Sequence, residues 1–202
     1  MIIALEGSDG TGKTTIANML AKEMNGDRIN FKSFGYLVSL MKYIQYNASN
    51  TVARFVYGLA GNYLESNEIR HAISADPGHN IILDRYVYSA LVTNVSLDIL
   101  YNKGAKKRFM YKIFNAEIKN FLEPDVIIFL YADVKEQEKR IGLDKNRKNI
   151  KFLDKNQKHF LLTQNLFKKL AKKLKKQGHK VIEIDTTGKS PDEVVGTIKR
   201  HF

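Results

Sequence analysis

Apolar residues along this chain follow two rhythms, short unbroken runs and longer segments where they recur every three or four positions. The runs Ile2-Ile3-Ala4-Leu5, Ile81-Ile82-Leu83 and Val126-Ile127-Ile128-Phe129-Leu130-Tyr131 predict buried strands, with shorter strands at residues 28–31 and 181–184. Helical spacing predicts helices over residues 14–24 (Ile16, Leu20, Met24), 36–46, 50–73, 97–122 with a loosening at Gly104, 135–141 and 153–177. Ser190-Pro191-Asp192-Glu193 reads as the cap of a last helix. Strands that are apolar throughout and alternate with helices imply a parallel sheet covered on both faces. The expected fold is therefore three-layer α/β/α with five parallel strands, its ligand at their carboxyl ends. No linker, repeat or low-complexity tract divides residues 1–202, which predicts a single domain.

Charge narrows the ligand class. Lysine and arginine (33) exceed aspartate and glutamate (21) by twelve, which suits polyanionic ligands. Much of that excess sits at Lys168, Lys169, Lys172, Lys173, Lys175 and Lys176, opposite an apolar face carrying Phe160, Phe167, Leu170 and Leu174. Aromatic and arginine side chains are not interleaved there as in a stacking platform, so the face reads as solvated rather than as a nucleic-acid surface. The absence of cysteine excludes disulfides, thiolate metal sites and cysteine nucleophiles. The first strand starts at Met1 and no apolar run reaches membrane-spanning length, so the expectation is a cytoplasmic protein without a signal peptide or a membrane partner.

Between the first strand and the first helix lie Gly7-Ser8-Asp9-Gly10-Thr11-Gly12-Lys13-Thr14-Thr15, with Gly7, Gly12, Lys13 and Thr14 matching the phosphate-binding pattern G-x-x-x-x-G-K-[ST]. In that context the glycines let backbone N–H groups turn inward around phosphate oxygens. The helix N-terminus adds partial positive charge and Lys13 a full one, while the Thr14 hydroxyl is suited to a magnesium ion. The loop predicts a nucleoside triphosphate ligand. A second cluster, Asp84-Arg85-Tyr86-Val87-Tyr88-Ser89, ends another strand. A carboxylate there would lie beside the phosphate loop and could hold a metal-bound water, and the Arg85 guanidinium could clamp a second phosphate.

These two motifs together resemble the thymidylate kinase family, whose phosphate loop looks like residues 6–15 and whose Asp-Arg-Tyr motif looks like Asp84-Arg85-Tyr86. The resemblance runs nearly end to end, through Glu123-Pro124-Asp125, Glu138-Lys139-Arg140-Ile141 and Ile184-Asp185. It implies a P-loop kinase that uses ATP and magnesium, with Lys13 on the transferring phosphates, Thr14 and Asp84 organising the metal and Arg85 gripping the acceptor monophosphate. It further implies that Asp9 bonds the deoxyribose 3′-hydroxyl, that Arg140 packs on adenine, and that the active enzyme is a homodimer. Some family members carry an arginine at the position of Gly10. Those with glycine supply the charge from a basic cover, here residues 142–152 with Lys145, Arg147, Lys148 and Lys151, of which Arg147 is the best candidate.

Three departures leave the acceptor open. The family's base-stacking phenylalanine and base-bonding arginine align with Gly58 and Asn62, and its tyrosine-glutamine pair with Thr93-Asn94. Its arginine-proline-glycine stretch is replaced by Phe31-Lys32-Ser33-Phe34-Gly35. Tyr57 or Tyr63 could replace the stacking ring, Asn62 or Asn94 the base contact, Lys32 the phosphate arginine, and the glycines at 58 and 61 could admit a ligand. The leading expectation is an ATP:dTMP phosphotransferase. Alternatives are a kinase for another deoxynucleotide or a deoxynucleoside, and a nucleotide-regulated nucleic-acid-binding protein. A monophosphate oxygen is already ionised at neutral pH, so the first reading requires no general base and no covalent nucleophile.

Overall fold

The computed structural model describes residues 1–29, 51–143 and 157–202. Five strands run in parallel: β1 (Ile2–Glu6), β2 (Asp27–Ile29), β3 (Ile81–Asp84), β4 (Val126–Tyr131) and β5 (Val181–Asp185), in the order β2-β3-β1-β4-β5. The central strand β1 pairs with β3 through Ile2–Ile81 to Leu5–Asp84, and with β4 through Ile3–Val126 to Glu6–Phe129. The carboxyl ends of β1 and β3 thus finish side by side.

Both faces of the sheet are covered, which explains why the strands are apolar at consecutive positions. Ile3, Leu5, Ile82, Val126, Ile128 and Leu130 pack with α1 (Lys13–Glu23) and α7 (Pro191–Lys199). Ala4, Ile81, Leu83, Ile127 and Phe129 pack on the other side with α2 (Thr51–Ala75), α3 (Val87–Asn102), α4 (Lys107–Glu117) and α6 (Gln157–Lys176). A further helix, α5 (Val134–Leu143), follows β4. The expected cap of α7 is present: Ser190 Oγ accepts from the Glu193 amide, and Glu193 accepts from the Ser190 amide. Among the described residues no helix is long and apolar enough to cross a membrane.

Two expectations change. Helix α3 begins at Val87, not Leu97, because its amide ends are capped from β1, as described below. It stops at Asn102, where Lys103 and Gly104 take φ of 52° and 75°, so the break expected near Gly104 is real. Gly58 on α2 does not open space for a ligand: a Cβ there would lie 3.3 Å from the Ala90 Cβ, so this glycine lets α2 and α3 approach each other. The helix expected over residues 36–46, Lys32, and the cover residues Lys145, Arg147, Lys148 and Lys151 lie outside the described residues.

Candidate active site

The phosphate loop leaves β1 at Glu6 and enters α1 at Lys13, and its conformation rests on glycine where nothing else fits. Gly7 has φ of 145° and a Cβ there would meet the Leu130 carbonyl oxygen at 2.3 Å. Gly10 has φ of 78° and lies under α5, with a Cβ position 2.7 Å from the Gln137 oxygen and 2.8 Å from its Cα. An arginine at this position would drive α5 off the loop. The same helix holds the loop by hydrogen bonds. Ser8 Oγ donates to Gln137 Oε1 (2.7 Å), while Gln137 Nε2 and Gln164 Nε2 of α6 both donate to the Ala132 carbonyl (2.7 and 2.8 Å). Thr11 Oγ1 donates to the Ser8 carbonyl (2.9 Å). Ser8 therefore shapes the loop from behind, whereas Asp9, Gly10, Thr11, Gly12, Lys13, Thr14 and Thr15 line the cleft.

Lys13 is buried and its ammonium donates to the Ser8 carbonyl. Burial pushes its pKa down to about 7; the neighbouring Arg85 charge adds to this, and Asp9, Asp84 and Glu6 oppose it. A polyanion arriving here meets a lysine that its own charge would hold protonated.

At the end of β3, Arg85 adopts φ of 77°, a left-handed backbone that a side chain disfavours, and its amide donates to the Leu5 carbonyl (3.0 Å). Glu6, fully buried at the end of β1, fixes the turn. Its Oε1 accepts from the amides of Tyr86 (3.0 Å) and Ser89 (3.3 Å), and its Oε2 from the Ser89 hydroxyl. The first residues of α3 have no side-chain cap of their own, so a carboxylate from a different strand supplies it. Burial raises Glu6 to about 7 against the hydrogen bonds and the Arg85 charge that favour its ionised form. The Arg85 guanidinium pairs with the Asp9 carboxylate, bringing the two expected acceptor-binding residues together.

Asp84 and Thr14 also meet: Thr14 Oγ1 donates to Asp84 Oδ2 at 2.7 Å. Asp84 is 5% exposed and its Oδ1 has no hydrogen-bond partner among the described residues, an arrangement that fits a hydrated magnesium ion beside the phosphates. Asp84 Oδ2 has a further partner that sequence reading missed, the Arg28 guanidinium from β2 at 3.3 Å.

Arg140, one turn beyond Gln137 on α5, donates to Thr186 Oγ1 (2.9 Å), to the Thr186 carbonyl (2.7 Å) and to Glu136 (2.8 Å). With Ile141, Thr186, Lys189 and Pro191 it bounds a cleft of ≈ 400 Å³ continuous with the phosphate loop, a size in the range of small-molecule sites. A second hollow of ≈ 210 Å³, beside Phe114, Leu170 and His179, includes none of the loop.

The expected base contacts are divided between α2 and α3. Asn62 is buried on α2, its amide donating to the Gly58 carbonyl (2.8 Å), and Asn94 is buried on α3, its amide donating to the Ala90 carbonyl (2.8 Å). Tyr57 is half-buried on α2; Tyr63 is largely exposed, its ring edge on Phe121. The same helix α2 carries a group that sequence reading passed over. Glu65 is fully buried on α2 with neither carboxylate oxygen hydrogen-bonded among the described residues, and burial raises it to about 8, with the Glu6 and Asp84 charges adding to the effect. The available signal was a glutamate on the inward stripe of the helix, between Asn62 and Ile69.

The family model described as "Thymidylate kinase" matches residues 5–198. A Methanococcus aeolicus protein described as a probable thymidylate kinase is 30% identical over 200 residues, covering 95% of this chain and 90% of the relative. One of the same description from Methanococcus vannielii is 27% identical over 210 residues, with the same coverage. In structure, the chain resembles the thymidylate kinase of Candida albicans, with a TM-score of 0.77 at 21% identity over 99% of this chain and 89% of that one, a likeness of fold.

Proposed function

The chain belongs to the thymidylate kinase family, and from that membership and the geometry of its cleft we propose that it transfers the terminal phosphoryl group of magnesium-bound ATP to dTMP, forming ADP and dTDP. One observation supports this most directly. The phosphate loop and the Asp84-Arg85 pair finish adjacent parallel strands, so donor and acceptor phosphates would be brought to one point. Loop amides and Lys13 would hold the donor phosphates, with Arg140 and Thr186 beside its base. Thr14 and Asp84 would hold the metal, which supplies charge neutralisation for the transferring group. Arg85 would bind the acceptor phosphate and Asp9 its sugar hydroxyl, each exchanging their mutual ion pair for ligand. Tyr57, Asn62 and Asn94 remain the proposed base contacts. Catalysis is then alignment and positive charge around a loose transition state.

The proposal extends to the basic residues 142–152, which we assign as a cover bringing Arg147 to the transferring phosphoryl group, since α5 leaves no room at Gly10 for a loop arginine. We also assign a homodimer acting in the cytoplasm. The exposed apolar side chains of Val56, Tyr63 and Leu64 on α2 and Phe109 on α4 support association, and a monomer by light scattering at micromolar concentration would refute it. The reaction is tested by ADP release across a panel of ribo- and deoxynucleoside monophosphates. Turnover of dTMP is expected, whereas turnover of other monophosphates alone would refute the thymidylate assignment and retain the kinase.

A further inference from the structure

Asp84 is claimed from two sides. Its Oδ2 takes the Thr14 hydroxyl at 2.7 Å and the Arg28 guanidinium at 3.3 Å, and its Oδ1 is buried and unbonded among the described residues. Arg28 is not a surface charge that happens to reach this carboxylate. It sits in the edge strand β2, its Nη1 donates to Asn18 Oδ1 of α1 at 2.7 Å, and its Nε is buried without a partner among the described residues. Asn18 anchors one arm of the guanidinium fork while the other faces Asp84. The fork is thus held in place at the carboxylate that the metal would use, and neither the phosphate-loop pattern nor the Asp-Arg-Tyr motif includes it.

Two cations that share one carboxylate repel each other. The interaction of a guanidinium with a divalent ion a few ångströms away is not negligible even at solvent-like dielectric, and it strengthens with burial. Magnesium also gives up its water reluctantly and gains most from full anionic charge. With Arg28 in place, Asp84 offers the ion a carboxylate whose charge is already largely neutralised. Donor phosphates bring several negative charges of their own and offset that loss. We infer that Arg28 suppresses metal binding at Asp84 in the absence of nucleotide, so that the divalent ion enters this site with the phosphates of its nucleotide instead of residing there. The inference rests on the assignment of Thr14 and Asp84 to the metal.

Mn²⁺ provides a direct probe, because its unbound fraction is read by electron paramagnetic resonance without turnover. For the wild type, Mn²⁺ alone should bind weakly and Mn²⁺ with ADP much more tightly. Arg28→Gln should tighten binding of Mn²⁺ alone by about tenfold or more, with a smaller change when ADP is present. Arg28→Lys, which keeps the charge, should stay within about threefold of the wild type. Asp84→Asn should weaken the Mn²⁺–ADP complex and abolish the gain made by Arg28→Gln. If a folded Arg28→Gln protein binds Mn²⁺ no more tightly than the wild type while Asp84→Asn weakens the ADP complex, the inference is wrong and the metal assignment stands. If Asp84→Asn leaves that complex unchanged, the assignment itself fails. A lysine variant as tight as the glutamine variant would also overturn the role given to charge.

Discussion

Glu65→Gln should make the protein more stable at high pH than the wild type, and only there. Glu65 is 0% exposed, neither of its oxygens is hydrogen-bonded among the described residues, and burial raises its pKa from 4.5 to about 8, with the Glu6 and Asp84 charges adding to the rise. The fold therefore accommodates the neutral acid and resists the anion. The contribution of Glu65 is intact below the unfolded value near 4.5 and is lost progressively as the pH climbs through about 8. At about 1.4 kcal/mol per pH unit, the full span corresponds to roughly 4–5 kcal/mol of lost stability, an upper figure that local relaxation and water entry reduce to the order of 2–4. Glutamine keeps the shape without the charge. Its buried amide has its own cost, but that cost is the same at every pH. The assay is urea denaturation of both proteins at pH 5 and pH 9, with the mutational difference taken at each. The difference between these two differences removes everything in the substitution that does not titrate. An advantage for glutamine growing by about 2–4 kcal/mol from pH 5 to pH 9 is expected. Parallel pH–stability curves would refute the reasoning, and would mean that the carboxyl finds solvent or a donor.

Gly10→Ala should destabilise the protein by ~2–3 kcal/mol and raise the KM for ATP, since φ of 78° disfavours any side chain and the Cβ would push on the Gln137 backbone, displacing the helix that also carries Arg140. Urea denaturation with steady-state kinetics checks both effects, and a near-normal variant would show that α5 yields freely. Arg147→Ala should lower kcat on the order of 10³-fold with little change in either KM, because a charge needed mainly in the transition state is lost; near-normal turnover would remove Arg147 from the mechanism.

What the amino-acid order determined on its own was whatever depends on neighbours in sequence. The apolar run from Val126 to Tyr131 identified a strand buried on both faces, and both sheet-covering layers pack against it. Ser190 and Glu193 announced the cap of α7 because both partners lie within one turn. The phosphate loop was legible because its geometry is set by glycines and a lysine at fixed spacing, and it leads from strand to helix as that spacing requires. The start of α3 was not legible, since the residues before Val87 carry no local cap and the group that supplies it, Glu6, is eighty residues away in sequence. Nor could sequence show why Gly10 must be glycine, which is a matter of where Gln137 lands. It did not single out Arg28 either, which reads as an ordinary strand charge until the parallel pairing of β2 with β3 sets it against Asp84. Glu65 makes the same point from the other side. A lone glutamate on a helix has no fixed meaning until packing decides whether water reaches it, and only the tertiary structure closes that space, leaving a carboxyl whose charge state is set by burial.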